Sequence, residues 1–135
     1  MKKLLLPALL FAALPAFAAT PGEIQQSYAA EAKQQNTAFK EFSAARGEQF
    51  YRAKGAKGAK GSSCATCHTD NPKAEGRHEK TGKAIAPLAP VADGERFTDP
   101  AKVEKWFKRN CQDVQGRACS AQEKGDFIAY LRSVK

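Results

Sequence analysis

The 135-residue sequence contains one methionine, Met1, so a chain that loses its first residues has no methionine thioether to offer a metal. Nothing in it alternates apolar and polar residues convincingly enough to predict a strand. The apolar run from Leu4 to Phe17 falls short of the ~20 residues a spanning helix needs, and prolines at Pro7 and Pro15 interrupt it. No cysteine sits at the cleavage site that ends it, so nothing suggests a lipid anchor there. Acidic residues are scarce: 14 Asp and Glu stand against 22 Lys and Arg, for a formal charge of +8.

What is present at the N-terminus explains several of these absences. Met1-Lys2-Lys3 is a short positive start, the apolar run follows, and Ala16-Phe17-Ala18 supplies the small residues read by a signal peptidase. Residues 1–18 are therefore expected to be a cleaved signal peptide, and residues 19–135 one exported, periplasmic domain. Cleavage removes the methionine and, with Lys2 and Lys3, lowers the charge from +8 by two to +6. Export argues against nucleic acid as a partner and leaves acidic proteins or, peripherally, a membrane surface. It also sets an oxidising compartment, in which cysteines pair or carry covalent cofactors.

Along the mature chain the patterns are helical, and the fold class is all-α. One helix is predicted from Glu23 to Asn36, with Ile24, Tyr28 and Ala32 on one face, and another from about Thr37 to Ala53. Gly47 lies inside the second, at a cost of about 1 kcal/mol that a close helix approach would explain. The repeat Lys54–Gly61 alternates lysine with glycine and alanine and reads as a solvated linker; steering of an acidic partner is its functional alternative. Residues 71–93 are rich in glycine and proline and have little periodicity, as expected of a segment wrapped around something. Asp99-Pro100 then opens a helix that places Val103, Trp106, Phe107 and Asn110 on or near one face. Ser120 and Glu123 form a capping box for the last helix, whose stripe is Phe127, Ile128, Leu131 and Val134.

Cys64-Ala65-Thr66-Cys67-His68 is the C-x-x-C-H pattern of covalent c-type haem attachment. Cys64 and Cys67 would form thioethers with the haem, and His68 would be the proximal axial ligand of the iron. A thioredoxin-like pair wants a βαβ context. A zinc site would have to recruit Cys111, Cys119 or His78. Cys111 and Cys119 are eight positions apart between the last two helices, and in an oxidising compartment a disulfide is their natural outcome. So small a loop contributes about 2–3 kcal/mol in the chain-entropy model.

Without methionine, the sixth iron ligand has to come from elsewhere. His78 lies in a polar, charged stretch, Gly76–Lys80, where an exposed imidazole is the plain expectation. Asn110 shares a face with apolar residues and should point inward, where it would be a ligand, a hydrogen-bonded buried amide or a helix cap. Residue patterns alone leave these choices open.

Several segments in one order carry a resemblance to a known family. They are Cys64–Pro72, Thr81–Pro90, Arg96-Phe97-Thr98-Asp99, Val103-Glu104, Arg109-Asn110-Cys111, Glu123-Lys124 and Phe127–Leu131. From about Phe50 to Val134 the chain resembles the SHP-type cytochromes c and the related cytochrome c double-prime. The resemblance implies a class I-like monohaem cytochrome c fold with an additional N-terminal helix and one disulfide, Cys111–Cys119. It implies Asn110 as the sixth ligand of oxidised iron, lost on reduction so that the haem opens to diatomic molecules such as oxygen or nitric oxide. Its implied partners are a diheme cytochrome c and, through it, a membrane b-type cytochrome. Lys83 and Arg96 are expected to meet the haem propionates, Trp106 to contact the haem, and a carbonyl near Pro87 to fix the His68 tautomer. Three functions compete: a ligand-binding haem protein, a plain electron carrier, and a small haem enzyme acting on peroxide or nitrogen oxides. No second catalytic acid or base is evident in sequence near Asn110, which leaves the enzyme least supported.

Overall fold

The computed structural model describes residues 18–56 and 61–135; residues 1–17 of the expected signal peptide and residues 57–60 of the lysine–glycine repeat lie outside the described residues. The N-terminal helical region is two short helices, α1 (Pro21–Ser27) and α2 (Ala29–Gln35), meeting at Tyr28, in place of one continuous helix. Thr20 and Glu23 cap α1 reciprocally, with Glu23 Oε2 accepting from the Thr20 N–H at 2.7 Å, so the helix begins two residues before Glu23. Ile24, Tyr28 and Ala32 are buried as their spacing predicts.

The second predicted helix is corrected more strongly. Residues 37–43 are not helical, and α3 spans only Ala44–Arg52. Ser43 caps it by accepting from the Arg46 N–H, while its own N–H donates to the Asp126 carboxylate at 2.6 Å. That long-range bond holds Ser43 extended, and the Phe39 and Phe42 rings pack against each other at a tilt, 4.9 Å apart, instead of joining the helix. Gly47 does mark a close approach. A Cβ there would lie 1.9 Å from the Asp126 carbonyl oxygen and 2.9 Å from Tyr130 Cβ. The partner is α6 (Ala121–Ser133), which crosses α3 at this point and begins at the expected Ser120–Glu123 capping box.

Phe127 of α6 centres the core. Its ring lies 5.5–6.4 Å from those of Phe50, Tyr51, Phe97 and Phe107. Ile128 and Leu131 are fully buried beside it. Asp126, also buried, is held by Arg46 at 2.7 Å and 3.0 Å.

Between α3 and α6 the chain makes a five-residue helix, α4 (Cys64–His68), then a long irregular segment, then α5 (Pro100–Val114). Asp99 caps α5 by accepting from the Lys102 N–H, with Pro100 at its first position, as predicted. The expectation of no strand is corrected in a small way: β1 (Gly76–Arg77) and β2 (Ala84–Ile85) pair antiparallel, Gly76 opposite Ile85. Two residues per strand are too few for an alternating pattern to declare itself in sequence. The architecture is otherwise helical, with the Cys111–Cys119 disulfide joining α5 to the approach of α6. No helix among the described residues is long and apolar enough to cross a membrane.

Candidate haem site

The C-x-x-C-H motif forms α4 itself, so its two thiols are one helical turn apart and both are free. Burial pushes the Cys64 thiol up to about 11, which keeps it protonated and unlike the thiolate of a redox-active pair. Cys67 Sγ accepts from the Glu79 N–H at 3.3 Å. His68 closes the helix. Burial, and after it the positive charge of Arg96, lowers its pKa to about 4, so the imidazole is neutral, the form that ligates metals. Among the described residues its ring makes no hydrogen bond.

Two contacts fix this short helix in place. Thr69, immediately after His68, takes a left-handed φ of 65°, and its carbonyl accepts from the Tyr51 hydroxyl at 2.6 Å. Gly76 of β1 lies against the other side, where a Cβ would sit 2.1 Å from the Cys67 carbonyl oxygen. Neither Tyr51 nor Gly76 was apparent from sequence as part of the site. Tyr51 lies four residues after Gly47 on α3, so its placement toward α6 was the available signal.

Arg96 has partners within the chain besides any role toward the haem. Its Nε donates to the Pro87 carbonyl at 2.7 Å, its Nη2 to the Ala86 carbonyl at 2.6 Å, and Asp93 lies 3.1 Å away. A guanidinium is a rigid fork of donors, well matched to two neighbouring carbonyls, and here it anchors the proline loop. The Pro87 carbonyl thus serves Arg96, and no hydrogen bond joins it to His68. Lys83 has an exposed side chain, and its carbonyl accepts from the His78 N–H at 2.8 Å. His78 is half-buried, not exposed: its Nδ1 accepts from the N–H groups of Lys80 and Thr81, each at 3.2 Å, and so closes the turn between β1 and β2.

On α5 the inward line is Val103, Phe107 and Cys111. Trp106 and Asn110 each precede a buried residue by one position, about 100° around the helix. They therefore stand on its flank, Trp106 at 42 % exposure and Asn110 exposed, with no hydrogen bond to the Asn110 amide. Cys111 bonds Cys119 with 5.7 Å between their Cα atoms, fixing the backbone directly after Asn110.

These residues fit a c-type haem: two free thiols at the spacing of its vinyl groups, an unspent neutral imidazole next to them, and an unpartnered amide on α5. They do not fit zinc, because Cys111 and Cys119 are consumed by their disulfide and no three His, Cys, Asp or Glu cluster among the described residues. Nor is there a βαβ setting around Cys64 and Cys67 for thioredoxin chemistry.

Comparison with known proteins agrees. Residues 37–131 match the family described as domain of unknown function DUF1924. Cytochrome c″ of Methylophilus methylotrophus is 52 % identical over 64 residues, covering 47 % of this chain and 44 % of that protein. The cytochrome c-type protein SHP of Cereibacter sphaeroides is 60 % identical over 52 residues, 38 % of this chain and 40 % of that one. These aligned stretches span less than half the length of either curated relative. The structural match is wider. The crystal structure of oxidised cytochrome c″ superposes with TM-score 0.77 at 38 % identity, over 85 % of this chain and 94 % of that one. Oxidised SHP, described as an oxygen-binding cytochrome c, gives 0.75 at 39 %, over 84 % and 96 %. A solution structure of cytochrome c″, described in terms of haem-ligand detachment, gives 0.73 at 39 %, over 84 % and 92 %. The chain belongs to the DUF1924 family and is an SHP-like c-type cytochrome related to cytochrome c″.

Proposed function

We propose that this chain is an exported, periplasmic monohaem cytochrome whose iron is ligated by His68 and Asn110 when oxidised and opens on the Asn110 side when reduced. Cys64 and Cys67 hold the haem through thioethers, and α4, fixed by Tyr51 and Gly76, orients His68. The observation that carries the reading is the Asn110 amide, unpartnered on α5 while His78, its rival, has its Nδ1 committed to two backbone N–H groups. The Asn110 oxygen is a hard, weak donor that suits ferric better than ferrous iron, so it withdraws on reduction while His68 stays. The haem supplies a one-electron centre and, with Asn110 withdrawn, a position open to oxygen, nitric oxide or a related diatomic molecule. The neighbours described as oxygen-binding and as detaching a haem ligand support the same reading for this chain. Its electrons come from a partner cytochrome, of the diheme c type by likeness, supplied in turn by a membrane b-type cytochrome. Lys83, whose side chain has no partner among the described residues, serves the propionates; Arg96, already spent on two carbonyls, acts by holding the proline loop.

Optical spectra of the oxidised and dithionite-reduced protein, with and without carbon monoxide, test this. A reduced spectrum that is high-spin and shifts with carbon monoxide is expected. A low-spin reduced spectrum indifferent to carbon monoxide would instead identify a plain electron carrier. Asn110→Ala should turn the ferric form high-spin.

A further inference from the structure

The cations of α3 and α6 have partners within the fold, whereas Lys33, Lys40, Lys80 and Lys83, like the lysines of α5, have no carboxylate partner among the described residues. On α3, Arg46 pairs with Asp126 and Arg52 with Glu48 and Asp70. On α6, Lys124 pairs with Glu104 and Arg132 bonds the Gln25 side chain. Arg96 and Arg117 have carboxylates of their own, Asp93 and Glu123. Along α5 the pattern reverses. Lys102, Lys105 and Lys108 are exposed and have no carboxylate partner among the described residues, and the one carboxylate near Arg109 is Asp113, at 3.8 Å. Glu104, the remaining acid of this helix, points the other way, toward Tyr28 and Lys124.

Lys102, Lys105, Trp106 and Arg109 follow one another at i, i+3, i+4 and i+7, so they share one outward face. Lys105 and Arg109 lie over the Trp106 ring, at 6.0 Å and 5.6 Å from its centroid. Each cation there stacks on the indole without being neutralised. An exposed indole with a rim of uncompensated cations is the composition of an interface hot spot toward an acidic surface: the ring supplies short-range burial and the cations supply steering. Insertion into an anionic membrane fits less well. An interfacial helix needs a broad apolar face, and α5 spends Val103, Phe107 and Cys111 on the core, leaving only Trp106 outside.

We propose that the outward face of α5, built from Lys102, Lys105, Trp106 and Arg109, is the docking site for an acidic redox protein that exchanges electrons with this one. The proposal rests on the reading above in one respect: α5 also carries Asn110, so the partner docks on the helix that bears the sixth ligand. Electron entry and the opening of the ligand position then occur at one edge of the molecule. Lys108, farther round the helix, adds charge to the approach.

The test uses the ferric holoprotein and a reduced two-iron ferredoxin, a strongly acidic protein donor, as the probe. The second-order rate of haem reduction should fall steeply between about 20 mM and about 300 mM salt. Lys105→Glu with Arg109→Glu should lower the low-salt rate roughly ten-fold or more, and should flatten its salt dependence. Lys33→Glu with Lys40→Glu makes the same charge change on the α2 side and should leave the rate within about two-fold of the parent. The milder pair Lys102→Gln and Lys105→Gln guards against a folding defect and should give an intermediate loss. Equal losses from the α5 and α2 pairs would overturn the site, since overall charge would then be the cause. So would salt-reversible sedimentation of the holoprotein with phosphatidylglycerol vesicles that the α5 pair abolishes while leaving the ferredoxin rate intact, a result that makes α5 a membrane contact. The optical spectra of the α5 pair, with and without carbon monoxide, should match the parent, so failure of the Asn110 reading and failure of the docking reading remain separate results.

Discussion

The α3–α6 half of the molecule and the α4–α5 half use similar residues in opposite ways. Where α3 crosses α6, rings and charges meet one another: Phe127 is ringed by four aromatic neighbours, and Asp126 accepts from Arg46 and from the Ser43 N–H. Around α4 and α5 the most chemically capable side chains are left unspent. His68 and Asn110 make no side-chain hydrogen bond, and the lysines of α5 have no carboxylates. The difference teaches where to look for function in a helical protein of this size. A half that satisfies itself is a frame, and a half that leaves imidazole, amide and ammonium groups available is built to meet something else.

Substitutions should separate the two halves sharply. The largest effect is expected at Gly47→Val. Even a Cβ would sit 1.9 Å from the Asp126 carbonyl, so the helices must part, at a cost above about 4 kcal/mol. Chemical denaturation of the holoprotein should show a collapsed midpoint or no folded protein. Phe127→Ala removes the ring shared by four neighbours and should cost about 3–5 kcal/mol, read the same way, while the haem spectrum of whatever remains folded is preserved.

Acid should weaken the frame next. Burial alone would raise the Glu104 and Glu123 carboxyls, but hydrogen bonds outweigh it, from Tyr28 and Lys124 to the first and from Arg117 and Ser120 to the second. Both end below the ordinary value of 4.5. The folded state then binds fewer protons than the unfolded chain, so this stability is present above about pH 4.5 and is lost as the pH falls through the lower folded values. Denaturation midpoints taken from pH 6 downward should fall, and Glu104→Gln with Glu123→Gln should flatten the fall. The smallest stability effect is expected in the other half. Asn110→Ala should shift the midpoint by less than about 1 kcal/mol while changing the spectrum of the oxidised haem outright. A large loss of stability there would erase the distinction between frame and site.

Much of this was legible in the sequence because the signals are local. The haem motif, the Asp99 and Ser120 caps and the short Cys111–Cys119 loop each lie within a few residues, and Gly47 announced a helix crossing by standing where glycine is costly. The failures share a different cause. Residues 37–43 read as helix because their composition permits it, and they are extended because Ser43 bonds Asp126, 83 positions away. For Arg96 only its charge was visible, so its propionate role stays an expectation; that two adjacent carbonyls also face its guanidinium was hidden because it depends on how the proline loop turns. His78 read as exposed because its neighbours are polar, yet those neighbours supply the N–H groups that hold it. Asn110 was placed on the right helix but about a quarter-turn too far inward, since the periodicity of α5 gives a face and not which edge of it is open.

The disulfide beside Asn110 has a consequence for how such a chain can change over time. The backbone at position 110 is fixed by the covalent bond that follows it, and the side chain there supports nothing else in the fold. Position 110 is therefore an interchangeable part of the fold: its side chain can be exchanged at little cost to folding and, if it ligates iron as proposed, for a stronger donor, a weaker one or none. On the proposed ligation, a single codon would retune this haem site without the rest of the molecule being consulted.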